Sequence, residues 1–166
     1  MKKGLLKALC IVLCTACIKS GPDSELVAPG DHYPLFNVIL QDGTPFSSSD
    51  FTGSPGVLIF FNSSCKDCRV TLPFVQQAYE TYASRGVRFV AVSRAETEDS
   101  VAPYWEESGF TFPYSAQEDR AVYDLFASSR IPRIYISDRN GVVTAVFTDD
   151  PNPRFEQISS EIEKVL

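Results

Sequence analysis

The chain is poor in the residues from which metal sites and acid–base pairs are built: its 166 residues include one histidine, His32, one methionine and one tryptophan. A structural zinc ion takes four Cys or His ligands, usually from two pairs. Here a single Cys-x-x-Cys, Cys65-Lys66-Asp67-Cys68, stands without a second pair or a second histidine. That argues against zinc, no metal or cofactor is implied, and His32 reads as a solvated loop residue. Positive charge is also scarce: 15 Lys and Arg against 21 Asp and Glu leave a net charge of −6, the wrong sign for a nucleic-acid partner. No long apolar run is present. The one at residues 8–16 lies between Lys7 and Lys19 and falls well short of the roughly 20 residues that span a bilayer. No internal repeat or low-complexity tract is visible. What the chain does have is a composition 44% hydrophobic, enough for a core and incompatible with a disordered or collagen-like protein.

Lys2, Lys3 and Lys7, with no acid among the first sixteen residues, precede the apolar run, the pattern of an export signal. Thr15-Ala16-Cys17 resembles the lipobox of bacterial lipoproteins, departing from it at Cys14, where that motif usually has Leu. The resemblance implies that Cys17 is acylated and becomes the first residue of the mature chain. The alternative is an ordinary cleaved signal with Cys17 left as a spare thiol, and Cys10 and Cys14 are lost with the signal either way. The expected organisation is therefore a signal peptide at 1–16, a lipid-anchored tether at 17–30 rich in Ser, Gly and Pro, and a folded domain at 31–166. With Cys17 lipidated, only Cys65 and Cys68 remain as thiols. A single close pair is no disulfide framework, and a bridge closing so short a loop constrains the unfolded chain little, so the pair reads as chemical before structural.

Residues 36–40 and 44–46, separated by Asp42-Gly43, predict a small hairpin. Residues 57–61 (VLIFF) predict a strand covered on both faces, and 68–85 a helix stopped by Gly86. A second buried strand is expected at 87–92, helices at 100–108 and 120–126, two antiparallel strands at 131–136 and 142–147, and a final amphipathic helix opened by Asn152-Pro153. Residues 110–114 are ambiguous. Trp105, Tyr104, Phe110, Phe112 and Tyr114 read as a packing cluster. Glu96, Glu98, Asp99, Glu106 and Glu107 read as a solvated acidic surface, and Asp149-Asp150 as a turn.

The Cys pair falls between a buried strand and a helix. Unpaired amides and the helix dipole at that position favour a thiolate on Cys65, with Lys66 assisting and Asp67 opposing. Cys65 is thus the attacking sulfur, and Cys68, one turn further in, the resolving one. Pro73 sits inside the helix, where proline is costly, and Pro132 opens a strand, where proline is unusual unless its bond is cis. Cys65, Cys68, Pro73 and Pro132 together resemble the thioredoxin superfamily. The hairpin, Asp50-Phe51-Thr52-Gly53 and the lipoprotein-like start resemble its TlpA and ResA type of exported thiol-disulfide oxidoreductase. The resemblance implies an α/β fold: a thioredoxin-like central mixed sheet flanked by helices, with an N-terminal hairpin extension. It further implies a substrate groove lined by Ile131 and Pro132, protein thiol or disulfide substrates, and recycling by a membrane-bound electron donor. The departures are Ser64 where Trp is common before the first cysteine, Ile59 in place of a buried acid, and Thr71 in place of a Glu found in the ResA group.

The leading expectation is an oxidoreductase of the bacterial envelope, acting more as reductant than oxidant by analogy. It is lipid-anchored through Cys17, on the periplasmic side or at an outer membrane. Two alternatives stay open: a non-catalytic binding lipoprotein whose Cys65–Cys68 bridge is permanently closed, and a peroxiredoxin-like peroxidase, against which Asn62 and Leu58 stand where Thr or Ser and Pro are usual. A copper-delivery protein of the Sco type would want a different Cys spacing and a downstream His.

Overall fold

Residues 57–61 carry no polar side chain, and a strand of that kind is stable only where both faces are covered. In the computed structural model, which describes residues 25–166, β3 (Gly56–Phe61) is buried at all six positions and lies mid-sheet. The five-stranded sheet has the order β5-β4-β3-β6-β7, with β4 (Arg88–Ser93) parallel to β3, β5 (Tyr114–Ser115) parallel to β4, and β6 (Arg133–Ser137) and β7 (Val143–Phe147) antiparallel neighbours. The signal-like run, Cys10, Cys14 and Cys17 lie outside the described residues. Among those described, no helix is long and apolar enough to cross a membrane.

Alternation along β3 sends its aromatic side chains to opposite faces. Phe61 meets Trp105 of α2 (Glu98–Ser108) with ring centroids 5.0 Å apart, on the face where Tyr79 of α1 (Lys66–Tyr82) packs edge-on to Phe89 at 5.5 Å. Helix α3 (Phe155–Glu163) lies beside α1 and is tied to it by the Tyr82 and Ser159 hydroxyls. Phe60 turns the other way, to Phe126 at 4.9 Å and Tyr123 at 5.4 Å. That face is closed by the N-terminal extension: β1 (Asn37–Ile39) and β2 (Pro45–Ser47) form an antiparallel hairpin, and Tyr33 and Phe36 stack on Phe126. Gly43 makes the hairpin turn at φ 84°, the left-handed region glycine enters without steric cost, and Asp42 Oδ1 accepts the Thr44 N–H at 2.8 Å.

Two expectations change, and one open segment is resolved. The body begins before residue 31: Leu26 N–H donates to Phe126 O at 3.0 Å and Val27 is only 3% exposed, because Val27 is an apolar side chain with a hydrophobic surface within reach. The helix expected at 120–126 is a 3-10 turn over Tyr123–Leu125; the segment is too short to propagate an α-helix, and the Tyr123 hydroxyl is drawn to the carbonyls of Ser129 and Arg130. The ambiguous stretch before Ser115 ends in the edge strand β5, held by Ala91 N–H to Pro113 O at 2.9 Å. His32 is exposed and bridges Val142.

Candidate active site

The parallel register pairs Phe61 with Ser93, so the loops leaving β3 and β4 emerge side by side at the carboxyl end of the sheet, where open α/β folds place their ligands. The β3 loop turns at once: Cys65 N–H donates to Asn62 O at 3.0 Å, and Asn62 Oδ1 accepts from the Ser64 N–H at 3.0 Å. Cys65 is then the N-cap of α1, with extended backbone (φ −72°, ψ 121°), and its sulfur accepts the Cys68 N–H at 3.3 Å. Sulfur does here what Ser or Asp oxygen does at most helix starts: it satisfies an amide that has no carbonyl within the helix.

The two sulfurs, both free thiols in this structure, occupy different surroundings. Cys65 is partly exposed, and its thiol donates to the Ile131 carbonyl at 3.5 Å. Cys68 is fully buried. Loss of water, and then its hydrogen bond with Cys65, push its pKa well above the ordinary thiol value, while the Asn62 backbone and the Arg94 charge pull the other way. Ile131 and Pro132 are buried and joined by a cis peptide bond. Pro73 is exposed inside α1.

Side chains not singled out as site residues from the sequence surround the pair. Glu96, grouped with the solvated acids from sequence, is turned inward: its carboxylate accepts the Ser63 N–H at 2.7 Å and the Ser63 hydroxyl. The Ser63 carbonyl in turn accepts from Arg69 Nε at 2.7 Å, and the Arg69 guanidinium lies 4.9 Å from the centre of the Tyr104 ring. Asp67 and Thr71 of α1 are both joined to Asn152, at 2.9 and 3.3 Å. The same loop places Asp149 3.2 Å from Arg130, whose backbone is left-handed at φ 66° and whose carbonyl is held by Tyr123. The segment read as a simple turn therefore bridges the helix that bears the cysteines and the loop that bears the cis proline. A sequence signal for Glu96 did exist: it lies three residues beyond a strand parallel to β3. Asn152 had none, because its partners are 81 and 85 residues away.

A dithiol with one open sulfur, one buried sulfur and a cis proline opposite can undergo disulfide exchange, and the chain belongs to the AhpC/TSA family, whose model matches residues 29–146. Among individual proteins it is 30% identical over 126 residues to the thiol-disulfide oxidoreductase ResA of Geobacillus kaustophilus (strain HTA426), a match covering 76% of this chain and 72% of that one. It is 28% identical over 124 residues to ResA of Bacillus subtilis (strain 168), covering 75% and 69%. Of solved structures, a thiol:disulfide interchange protein of the thioredoxin family from Chlorobium tepidum TLS superposes with a TM-score of 0.72 at 25% identity, over 83% of this chain and 97% of that one. The thioredoxin-like fold and the thiol-disulfide oxidoreductase class are thereby established.

Proposed function

We propose that this enzyme exchanges electrons with protein thiols and disulfides through Cys65 and Cys68, acting in the reducing direction. The observation that carries the reading is the arrangement of two free sulfurs in one helical turn, Cys65 partly open and facing the Ile131 carbonyl, Cys68 fully buried behind it. In the reduced protein the Cys65 thiolate attacks a substrate disulfide, forming a Cys65–substrate disulfide and releasing one substrate thiolate. Cys68 then loses a proton to solvent and attacks the Cys65 sulfur. The Cys65–Cys68 bond forms, the Cys65–substrate bond breaks, and the second substrate sulfur leaves and is protonated. Two electrons have passed from the dithiol to the substrate. Ile131 and Pro132 line the groove in which an extended partner segment lies.

The reading extends to the amino terminus: the basic, apolar and Thr15-Ala16-Cys17 pattern supports export and lipidation at Cys17. The domain would then be anchored beside the membrane-bound donor that regenerates the dithiol, and tethering would raise their effective concentration. The equilibrium potential of the Cys65–Cys68 couple tests the core of the proposal. A value between roughly −270 and −120 mV, the range of dithiol catalysts, supports turnover, its lower end marking a reductant. A value below about −300 mV marks a structural bridge and gives the lead to a passive binding module. Cys68→Ser, which cannot resolve, is expected to retain its substrate as a covalent adduct on non-reducing gels. Absence of any adduct with a partner protein disulfide would remove Cys65 from the attacking role. Asn62 and Leu58 offer nothing to a peroxidase reading, since Asn62 is committed to Ser64 and the Arg94 carbonyl and Leu58 is buried in β3.

A further inference from the structure

Residues 25–33 run along the sheet from one end to the other. His32 bridges Val142, and Tyr33 N–H donates to Gly141 O at 3.3 Å, both at the turn between β6 and β7. That turn lies at the entry of β3, because Gly56 pairs with Ser137. Moving back along the chain, Gly30 N–H donates to Val143 O at 2.8 Å, and the Val27 and Leu26 N–H groups reach Phe126 O at 3.2 and 3.0 Å. Glu25 then bridges Ala127 through its backbone, and its carboxylate lies 3.2 Å from the Arg133 guanidinium. Arg133 is buried, stands opposite Phe60 near the exit of β3 and directly follows the cis proline, and its Nε donates to Ser129 O at 3.1 Å. A buried guanidinium deprived of its carboxylate is strongly unfavourable, so the pair fixes Glu25 at this end. The Cys65 thiol is at the same end, 3.5 Å from the carbonyl of Ile131, two residues before Arg133. The chain amino-terminal to Glu25 therefore joins the body beside the dithiol.

We infer that the end of the domain carrying the dithiol is turned toward the bilayer, so that what docks on it is a cysteine-bearing segment of a membrane-bound protein standing close to the surface. The inference rests on the reading of Cys17 as the lipid anchor. Length is its second support. Residues 17–24 are eight in number, and at no more than about 3.6 Å per residue they reach about 29 Å. A domain of this size has a radius of gyration of roughly 14 Å and is roughly 37 Å across. Held by its dithiol end on so short a leash, the body cannot turn over to set its far end on the bilayer. A tether running to residue 30, as read from composition, would span about 50 Å and leave every orientation open. Pairing of residues 25–30 with the sheet, closed by Glu25 and Arg133, removes that freedom. The gap left beneath the dithiol is narrower than a folded domain of the same size, which favours a segment already at the surface over a soluble protein.

The test uses the full chain, purified with its lipid and bound to vesicles of phosphatidylethanolamine and phosphatidylglycerol that carry an energy-transfer acceptor on a headgroup. One protein has Cys68→Ser and a donor dye on Cys65. The other has Cys65→Ser, Cys68→Ser and Ser84→Cys, with the dye at position 84, which is exposed beyond the far end of α1 and about 28 Å down the helix from Cys65. Strong transfer from position 65 and weak transfer from position 84 are expected; equal transfer, or stronger transfer from position 84, overturns the inference. Inserting about ten Gly and Ser residues between Ser24 and Glu25 lengthens the leash to about 65 Å and is expected to bring the two values together. A difference that survives the insertion overturns the leash as its cause. In a second readout a phospholipid with a pyridyl-disulfide headgroup stands in for the partner: attack by unlabelled Cys65 forms a Cys65–lipid disulfide and releases one coloured thiopyridone. Relative to its rate with soluble dithiodipyridine, Cys65 is expected to react several-fold faster than Ser84→Cys, an advantage the insertion erases. Equal relative rates mark an end open to soluble partners and overturn the inference. A protein that does not float with the vesicles fails the anchoring reading first, and the orientation falls with it, whereas the dithiol reading is decided separately by the potential.

Discussion

The two ends of β3, Gly56 and Phe61, are five residues apart and are built on opposite terms. At its entry, Gly56 is pressed so closely that a Cβ would fall 2.3 Å from a Phe51 ring carbon and 2.8 Å from the Ser137 hydroxyl. At its exit, beyond Phe61, the chain meets four polar groups from three other segments: Glu96 and Arg94 from the β4 loop, Arg69 from α1, and the Ile131 carbonyl from the cis-proline loop. The first end is specified by steric exclusion and the second by hydrogen bonds and charge. A strand buried along its whole length is stiff, so it can hold the loop that follows it in place while the contacts at its other end lie about 17 Å away, at about 3.3 Å per residue.

Substitutions at the two ends should therefore separate activity from stability. The largest effect is expected for Cys65→Ser, which removes the sulfur proposed to attack: turnover of a protein disulfide falls about a hundred-fold or more, with urea midpoint and slope close to those of the reduced parent. A variant that keeps its rate would break the comparison. Gly56→Ala is expected to do the reverse. Overpacking against Phe51 costs about 1–3 kcal/mol by urea unfolding, while the reduction potential of the dithiol stays put. A smaller effect is expected for Glu96→Gln, which keeps the size of the side chain but leaves Ser63 with a weaker, neutral acceptor. About 1 kcal/mol of stability is lost, together with a measurable shift in potential, because the loop ahead of Cys65 is less firmly held.

The smallest effect is one of pH. The pKa of Cys68 is raised in the folded protein, so burial of the neutral thiol is fully favourable below the unfolded value of about 8.5 and is lost as pH climbs above it. The reduced protein should lose stability between about pH 8 and about pH 10, before the buried phenols of Tyr33 and Tyr135, shifted in the same direction, contribute to the slope. Cys68→Ala should flatten the curve across that window, and a slope that survives the substitution would assign it to another group.

The fold was largely legible because its signals are local. An apolar run, a helical period, Asp-Gly in a hairpin and Gly after a helix each act within a few residues, and outside 120–126 they produced the expected elements. The placement of Cys65 and Cys68 at a helix entry and of Pro132 just ahead of a strand was legible for the same reason, since both are written in adjacent residues. Legibility stopped where a side chain's role depends on a distant neighbour. Glu96 has the composition of a solvent-facing acid and becomes a clamp on Ser63 only because β4 runs parallel to β3. Val27 reads as tether and is buried only because Phe126 and its neighbours offer an apolar surface.

By itself, then, the sequence determined the order of elements, the helix entry that carries the dithiol and the apolar strand behind it, since all of these depend on spacing and local backbone preference. Only the tertiary structure decided which polar side chains fix the loops around the dithiol. Glu96 reaches the loop ahead of Cys65, Asn152 the cysteine helix and Asp149 the cis-proline loop through sheet register and loop packing, and a hydrogen bond or ion pair depends on distance in space, whatever the separation along the chain.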